Sequence, residues 1–258
     1  MTSVLRESLL VFGRQARTGA ADPGPYYVLP MMPALLMTIV FTALFDRIAT
    51  VDGFTGDSYD AFLVPGVVVL VALLGGGATS ATLAADLRSG YLERLRLLPI
   101  NLGSLLAGRL LFEAVRLVPG TLVVLLVGFA FGAEAHNGAA GVAVAAMLVV
   151  LLGVAYSGIF YVVAAGTRDP QTPFQLQPLG LPLAFLSTAL VPVAVMPGWA
   201  ETLARANPVS VVVDGAREAM LGDLWSAPLV AALGVLAAWI ALTELLAWKT
   251  LTAELTRS

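Results

Sequence analysis

Six long apolar runs alternate along the chain with short polar stretches. A helix that crosses a bilayer takes about 20 predominantly apolar residues. The runs fall at 26–45, 62–85, 117–131 (after a polar lead-in from Asn101), 139–165, 176–195 and 229–248. None of them alternates apolar and polar positions over about 10 residues, as a membrane barrel strand does. The expected fold is therefore an all-α integral membrane protein with six transmembrane helices. Ahead of the first run, Leu5, Leu9, Phe12 and Ala16 recur at helical spacing within 4–17, and Arg6, Glu7, Arg14 and Arg17 fall mostly off that face. This pattern predicts an amphipathic helix lying in the membrane interface; the alternative is a frayed basic tail. Pro23 and Pro25 are expected to break the chain before the first span, which divides it into residues 1–25, helix and linker, and 26–258, the six-span domain.

Composition supports the lipid reading. Of 258 residues, 59% are hydrophobic and 12% charged, against about 25% charged in a soluble domain. There is no cysteine, which excludes disulfides, thiol nucleophiles and zinc–thiolate sites. The first residues lack the uninterrupted apolar core of a signal peptide. With six spans both termini share a side, and that side carries Arg6, Arg14, Arg17, Arg88, Arg94, Arg96, Arg109, Arg116, Arg168, Lys249 and Arg257. The other side carries only Arg47, Arg205 and Arg217, while Asp46, Asp52, Asp57 and Asp60 gather in its first loop. Basic residues in short loops mark the cytoplasmic face, so both termini are expected in the cytoplasm. Alanine, glycine and valine abound beside a single lysine, a composition of GC-rich bacteria, so a bacterial plasma membrane is the expected location.

The cytoplasmic loop 86–101 is too charged for lipid and too apolar for an idle connection. Within it, 91–98 can form a short helix, with Gly90 before it and Pro99 ending it, and Tyr91, Leu92, Leu95 and Leu98 need a surface to pack on. A cytosolic partner or the lipid headgroups would supply one. On the opposite side, Asn207 is a good N-cap, Pro208 suits the first helical position and Gly222 suits the stop. Val209, Val212, Val213, Ala216 and Met220 then form an apolar face, and Asp214, Arg217 and Glu218 a polar one. The segment 197–226, which begins near Trp199, is expected to form one or two short helices at the outer leaflet.

Several other residues invite a chemical reading. Arg109, Glu113 and Arg116 share one helical face entering the third span, and a charge at a bilayer centre costs about 2.5–3.5 kcal/mol on insertion scales. They are expected near the cytoplasmic headgroups, as a polar vestibule or an ion-pair cluster that Glu244 could join. Tyr156, Phe160 and Tyr161 lie near one another on the fourth run and could line a cavity or pack in the core. Pro170, Pro173, Pro178, Pro182 and Pro192 bend the fifth run. Gly75, Gly76 and Gly77 fit close helix packing. His136 is the only histidine and lacks the oriented partner that catalysis requires.

Two motifs carry a resemblance. Arg88, Gly90, Leu92, Glu93, Arg94, Leu95 and Pro99 match the cytoplasmic loop of type-2 ABC exporter permeases of the daunorubicin-resistance-like class, although the acid that usually precedes the basic residue stands two positions earlier, at Asp86. Pro197, Gly198, Trp199, Asn207, Pro208, Asp214, Ala216, Arg217 and Gly222 match the segment before that family's last span, with Val211 and Val212 in place of an aromatic. The resemblance implies that the loop helix docks on a nucleotide-binding subunit, with Arg88, Gly90, Tyr91, Leu92, Glu93, Arg94 and Leu95 as the coupling surface. It also implies two ATPase subunits, which bind ATP and magnesium, and a second permease, identical or homologous. The only lysine, Lys249, follows no glycine-rich phosphate-cradling loop, so this chain is expected to bind no cofactor and to hydrolyse no ATP. Apolar spans point to a hydrophobic or amphipathic cargo such as a drug or lipid; polysaccharide is the alternative within the same class. An ion-coupled secondary transporter is a separate reading, weakened by the lack of charged residues in the first, second, fourth and fifth runs. A membrane enzyme would need a reactive constellation that the sequence does not provide. No feature points to nucleic acid.

Overall fold

The structure is a computed structural model and describes residues 2–45, 59–95 and 101–257. Among these residues there are helices and no strands. The first outer loop, with Asp46, Arg47, Asp52 and Asp57, lies outside the described residues, as do 96–100 of the loop after the second span.

Helix α1 covers Thr2–Ala21. Its apolar stripe divides in two. Phe12 and Ala16 pack inward with Tyr26, Tyr27 and Phe112, and Val11 packs against the cluster of Leu83, Leu87 and Leu105, while Leu5, Leu9 and Leu10 are exposed. α1 ends at Ala21, Asp22 is not helical, and the helical path resumes at Pro23. Pro23 keeps a helical φ of −70°, and a π-helical turn over Gly24–Val28 runs straight into α2, Leu29–Phe45. A proline in a first turn has no amide to lose, so the path continues.

The second run is three helices in file: α3, Tyr59–Val67; α4, Val69–Leu73; and α5, Gly77–Arg88. The break at 74–76 coincides with Gly75 and Gly76. This column is buried along its whole apolar length and forms the axis of the bundle. After α6, Tyr91–Leu95, the third helix α7 is longer than the apolar run alone. It extends unbroken over Leu102–Ala130, capped by Asn101, whose side chain accepts from the Gly103 amide at 2.8 Å. The polar lead-in is therefore part of the spanning helix, and Arg116 sits at its midpoint. Helix α8 covers Gly138–Thr167.

The fifth run departs most from expectation. No continuous helix occupies 176–195. Instead α9, Thr172–Leu176, a 3-10 turn Gln177–Leu179, and α10, Gly180–Phe185, are followed by turns and a second 3-10 turn, Val193–Val195. Prolines at 173, 178, 182 and 192 each remove an amide that a continuous helix would use. Five stretches among the described residues are thus long and apolar enough to cross a membrane: Gly24–Leu44, Ala61–Arg88, Leu102–Ala130, Gly138–Thr167 and Ala227–Glu254. The broken segment still runs the length of the second column, antiparallel to it. A methyl group on Gly77 would meet the Gln177 side chain, one on Gly180 would meet the Leu73 backbone, and one on Gly66 would collide with the Ala189 carbonyl.

Two short helices, α11, Gly198–Ala206, and α12, Pro208–Leu221, precede the last one, α13, Ala227–Arg257. The main core gathers Leu63, Val67, Leu70, Leu117, Val124, Leu148, Tyr156 and Val212 around the second column. A separate core at one end joins Leu83, Leu87, Leu92, Leu105, Tyr161, Ala164, Ala247 and Leu251.

Candidate functional site

At the end of the second column, Gly90 adopts a positive φ of 68° and turns the chain from α5 into α6. Only glycine takes this conformation without steric cost. Leu92 then drops into the smaller core and is 2% exposed. The expectation that Leu92 belongs to a free docking surface is therefore corrected: the chain itself supplies the surface this leucine needs. Arg88 and Arg94 remain exposed and Tyr91 half-buried. The side chains of Glu93 and Leu95 lie outside the described residues.

Asp86 organises this end. It is buried, and its carboxylate accepts from Arg14 of α1 (2.9 Å) and from Arg109 of α7. The Arg14 guanidinium also stacks over the Tyr91 ring, 4.2 Å from its centre. Its pKa is raised above the ordinary arginine value by the hydrogen bond it donates to Asp86, partly offset by burial. Arg109 donates further to Thr82 Oγ1 (2.9 Å), and Thr82 bonds Gln15 of α1 at 3.3 Å. At the far end of the loop, the Asn101 amide donates to Glu7 of α1 at 3.1 Å. Helix α1 thus contacts both ends of the 86–101 loop. It can approach α7 because Gly108 faces it; a methyl group there would lie 2.5 Å from the Ser8 carbonyl.

Deeper in the bundle, Glu113 and Arg116 form an ion pair that is wholly buried. Glu113 also accepts from Thr79 at 2.7 Å, and Arg116 donates to the carbonyls of Tyr26 (3.0 Å) and Gly75. Neither side chain faces water. Arg116 supplies donors to two carbonyls, one in the π-helical turn and one at the break in the second column. Glu244 stands apart from this network: it forms no ion pair among the described residues, and its Oε1 is buried with no hydrogen bond.

The opposite end has its own joint. Arg217 pairs with Asp214 (3.0 Å), donates to the Phe62 and Thr188 carbonyls, and lies 3.8 Å from the Phe62 ring centre. Burial lowers its pKa to about 10, against the opposing pull of Asp214, so it stays a cation at neutral pH. Asp214 accepts from Thr188 at 2.8 Å. Asn207 caps α12 by accepting from the Val209 amide at 2.9 Å, while its Nδ2 donates to the Leu183 and Leu186 carbonyls. Asn137 and His136 attach the α7–α8 turn to the end of α12 through Ala219, Gly222 and Leu221. On α11, Trp199 and Leu203 are exposed one turn apart.

Tyr156, Phe160 and Tyr161 are all buried. Tyr156 meets Phe160 edge to face and reaches Trp239 on α13, while Tyr161 belongs to the smaller core. Sequence reasoning missed the roles of Asp86, Arg14, Thr188 and Phe62. The signal for Asp86 was present: an acid directly after the uncharged apolar run 62–85, two residues before Arg88.

Residues 8–221 match the family model described as ABC-2 type transporter. A daunorubicin resistance ABC transporter permease protein of Streptomyces coeruleorubidus is 31% identical over 203 residues, covering 78% of this chain and 70% of that protein. A probable doxorubicin resistance ABC transporter permease protein of Mycobacterium tuberculosis is 28% identical over 200 residues, covering 78% and 71%. A putative transport permease of Cyanophora paradoxa is 26% identical over 189 residues, covering 72% and 65%.

Proposed function

The chain belongs to the ABC-2 type transporter family, and from that premise we propose that it is the membrane subunit through which an ATP-driven exporter moves a hydrophobic or amphipathic molecule, drug or lipid, out of the cytoplasm or inner leaflet. ATP and magnesium would bind a separate nucleotide-binding subunit, two copies per complex, and the permease would act with a second copy or a homologue. The loop end faces the cytoplasm of a bacterial plasma membrane, and the broken fifth segment completes a six-crossing path.

The observation that carries this reading is the joint at Asp86. The loop end of the second column is tied to α1 through Arg14 and to α7 through Arg109. Motion imposed on α6 would therefore reach the central column and the third helix together. Arg88, Gly90, Tyr91, Glu93, Arg94 and Leu95 form the coupling surface, and Leu92 anchors it. The cargo's apolar character is supported by spans whose charged groups are mostly paired with one another inside the bundle. The names of the two resistance permeases favour a drug.

The test is reconstitution with its nucleotide-binding subunit. The purified chain should hydrolyse no ATP alone, should raise the partner's ATPase rate, and should drive cargo uptake into inverted vesicles only with ATP. Reversing both Glu93 and Arg94 should uncouple uptake while the protein still inserts. Unchanged transport after both reversals would remove the coupling assignment, and uptake driven by an ion gradient without nucleotide would remove the exporter reading.

A further inference from the structure

Helix α1 turns two arginines outward with nothing in the chain to hold them. At about 100° per residue, Arg6, Leu10, Gly13 and Arg17 form one stripe along the middle of its outward face, and all but Gly13 are exposed. Leu5, Leu9 and Ala20 follow on one flank, Glu7 and Arg14 on the other. The charges of that second flank are occupied: Glu7 accepts from the Asn101 amide, and Arg14 pairs with Asp86. Arg6 and Arg17 form neither a hydrogen bond nor an ion pair among the described residues.

Tryptophans mark the depth of this face. Trp225, two residues before α13, and Trp248 near its other end stand about 34 Å apart at 1.5 Å per residue. That is close to the thickness of a hydrocarbon core, at whose two interfaces tryptophan gathers. Trp248 lies beside the start of α7, where a methyl group on Gly103 would be 3.4 Å from its ring. Helix α1 meets the same end of α7, with Glu7 at Asn101 and Ser8 at Gly108. Its arginine stripe is therefore at headgroup level, with the leucine flank within reach of acyl chains. A guanidinium at that level suits phosphate. A zwitterionic lipid cancels its phosphate with its own ammonium, whereas an anionic lipid leaves a net charge for arginine to meet. A protein partner fits less well, because the stripe alternates arginine with small or aliphatic residues and has no aromatic anchor.

We infer that the outward face of α1 is a binding surface for anionic phospholipid of the cytoplasmic leaflet, with Arg6 and Arg17 on headgroup phosphates and Leu5 and Leu9 among the acyl chains. The two arginines stand about 16 Å apart along the helix, so each takes its own headgroup. This rests on the orientation given with the exporter reading and adds a lipid partner to it. Lipid held here also braces the 86–101 loop, because Glu7 and Arg14 of the same helix bond its two ends.

Local lipid preference along the stripe tests it. The chain has no cysteine, and a side chain begun at Gly13 meets nothing within 4 Å, so Gly13→Cys carries a bimane fluorophore between the two arginines. The labelled full chain is placed in phosphatidylcholine nanodiscs holding a small fraction of doxyl-labelled phosphatidylglycerol or of doxyl-labelled phosphatidylcholine. The phosphatidylglycerol should quench bimane as if enriched about fivefold or more around it, the preference that an arginine at an anionic surface gives. Arg6→Gln/Arg17→Gln should bring the two lipids to parity, and Arg6→Lys/Arg17→Lys should keep the preference. Lys249→Gln, which removes an exposed cation of α13, should leave it unchanged. Each variant is first checked for an unchanged melting temperature, the outcome expected at exposed and unpaired positions. Equal quenching by the two lipids with both arginines in place overturns the assignment, as does a folded glutamine variant that keeps the preference. A bimane that neither lipid quenches overturns it as well; if the nucleotide-binding subunit then shields it from iodide, the face belongs to that subunit. The lipid measurement uses no ATP and no cargo, so its failure leaves the exporter reading intact, and failure of ATP-driven uptake leaves the lipid surface intact.

Discussion

Arg116, at the midpoint of α7, donates to the main-chain carbonyl of Gly75 at the break in the central column. The break and the charge explain each other. A non-helical stretch inside a membrane bundle is tolerated only where its carbonyls find partners, and here the partner is a buried guanidinium balanced by Glu113. Removing Arg116 alone leaves Glu113 buried without its cation and takes the guanidinium donors from two carbonyls. Arg116→Met should therefore destabilise the detergent-solubilised protein by about 3–5 kcal/mol. The double variant Glu113→Gln/Arg116→Met should cost less than the two single substitutions summed, with a coupling of about 0.5–3 kcal/mol. Additive melting shifts would show that the pair does not act as a unit.

Asp86 should rank its two arginines unequally. Arg109 is fully buried, whereas the Arg14 side chain is 42% exposed. An exposed ion pair contributes about 0–1 kcal/mol, and breaking a buried one costs about 3–5 kcal/mol. Arg14→Gln should therefore fold almost normally, and Asp86→Asn, which strands Arg109, should lower the melting temperature sharply. In the reconstituted complex, Arg14→Gln should still weaken ATPase stimulation, because it releases both Asp86 and Tyr91 from α1. Wild-type stimulation in that variant would confine the joint to stability.

Asn207 separates two roles within one amide. Its Oδ1 caps α12, and its Nδ2 satisfies two carbonyls at the end of α10. Aspartate preserves the first role and abolishes the second. Asn207→Asp should therefore fail to rescue, leaving two buried carbonyls unpaired at about 1–3 kcal/mol each, where a cap alone contributes about 1 kcal/mol. Hydrogen exchange over 183–190 reports the difference. If aspartate protects those amides as well as asparagine does, the cap is the whole of the effect.

The parts of the fold that sequence reveals are those governed by composition over many residues. Four of the five spanning stretches lie within a few residues of the runs predicted from apolar length, because lipid demands about the same segment everywhere. The third was underestimated because Arg109, Glu113 and Arg116 read as a polar lead-in; their mutual pairing allows the helix to continue through them. The fifth run has the apolar length of a span and the prolines of a broken one, and hydropathy cannot choose between these. The candidate site was readable only in part. Spacing located α6 and α12 and the Asn207 cap, but Leu92 looked like a docking residue because the core that receives it comes from α7, α8 and α13. Asp86 seemed displaced from its family position, yet lies within reach of arginines 72 and 23 residues away. Only the packed helices bring those together.

The broken fifth segment makes the crossing number a matter of geometry. Arg168, just after α8, bonds Glu254 near the end of α13. Asn137, just before α8, bonds Ala219 and Gly222 at the end of α12. These contacts lie at opposite ends of α8, so the chain between Arg168 and α12 must travel the full length of the bundle. It does so beside the central column, from Gln177 near Gly77 to Ala189 near Gly66. We propose that this segment makes a sixth traverse, in pieces, beside the five long helices, with the orientation that the positive-inside rule gives. The chain lacks cysteine, so single cysteines report topology without background. A membrane-impermeant maleimide applied to intact cells should label cysteines replacing Trp225 and Trp199, which are exposed. Cysteines replacing Arg94 and Thr252 should react only after the cells are opened. Labelling of the 94 and 225 positions from the same side would mean that the pieces of the fifth segment do not cross, and would place α11 and the loop after α5 on one surface.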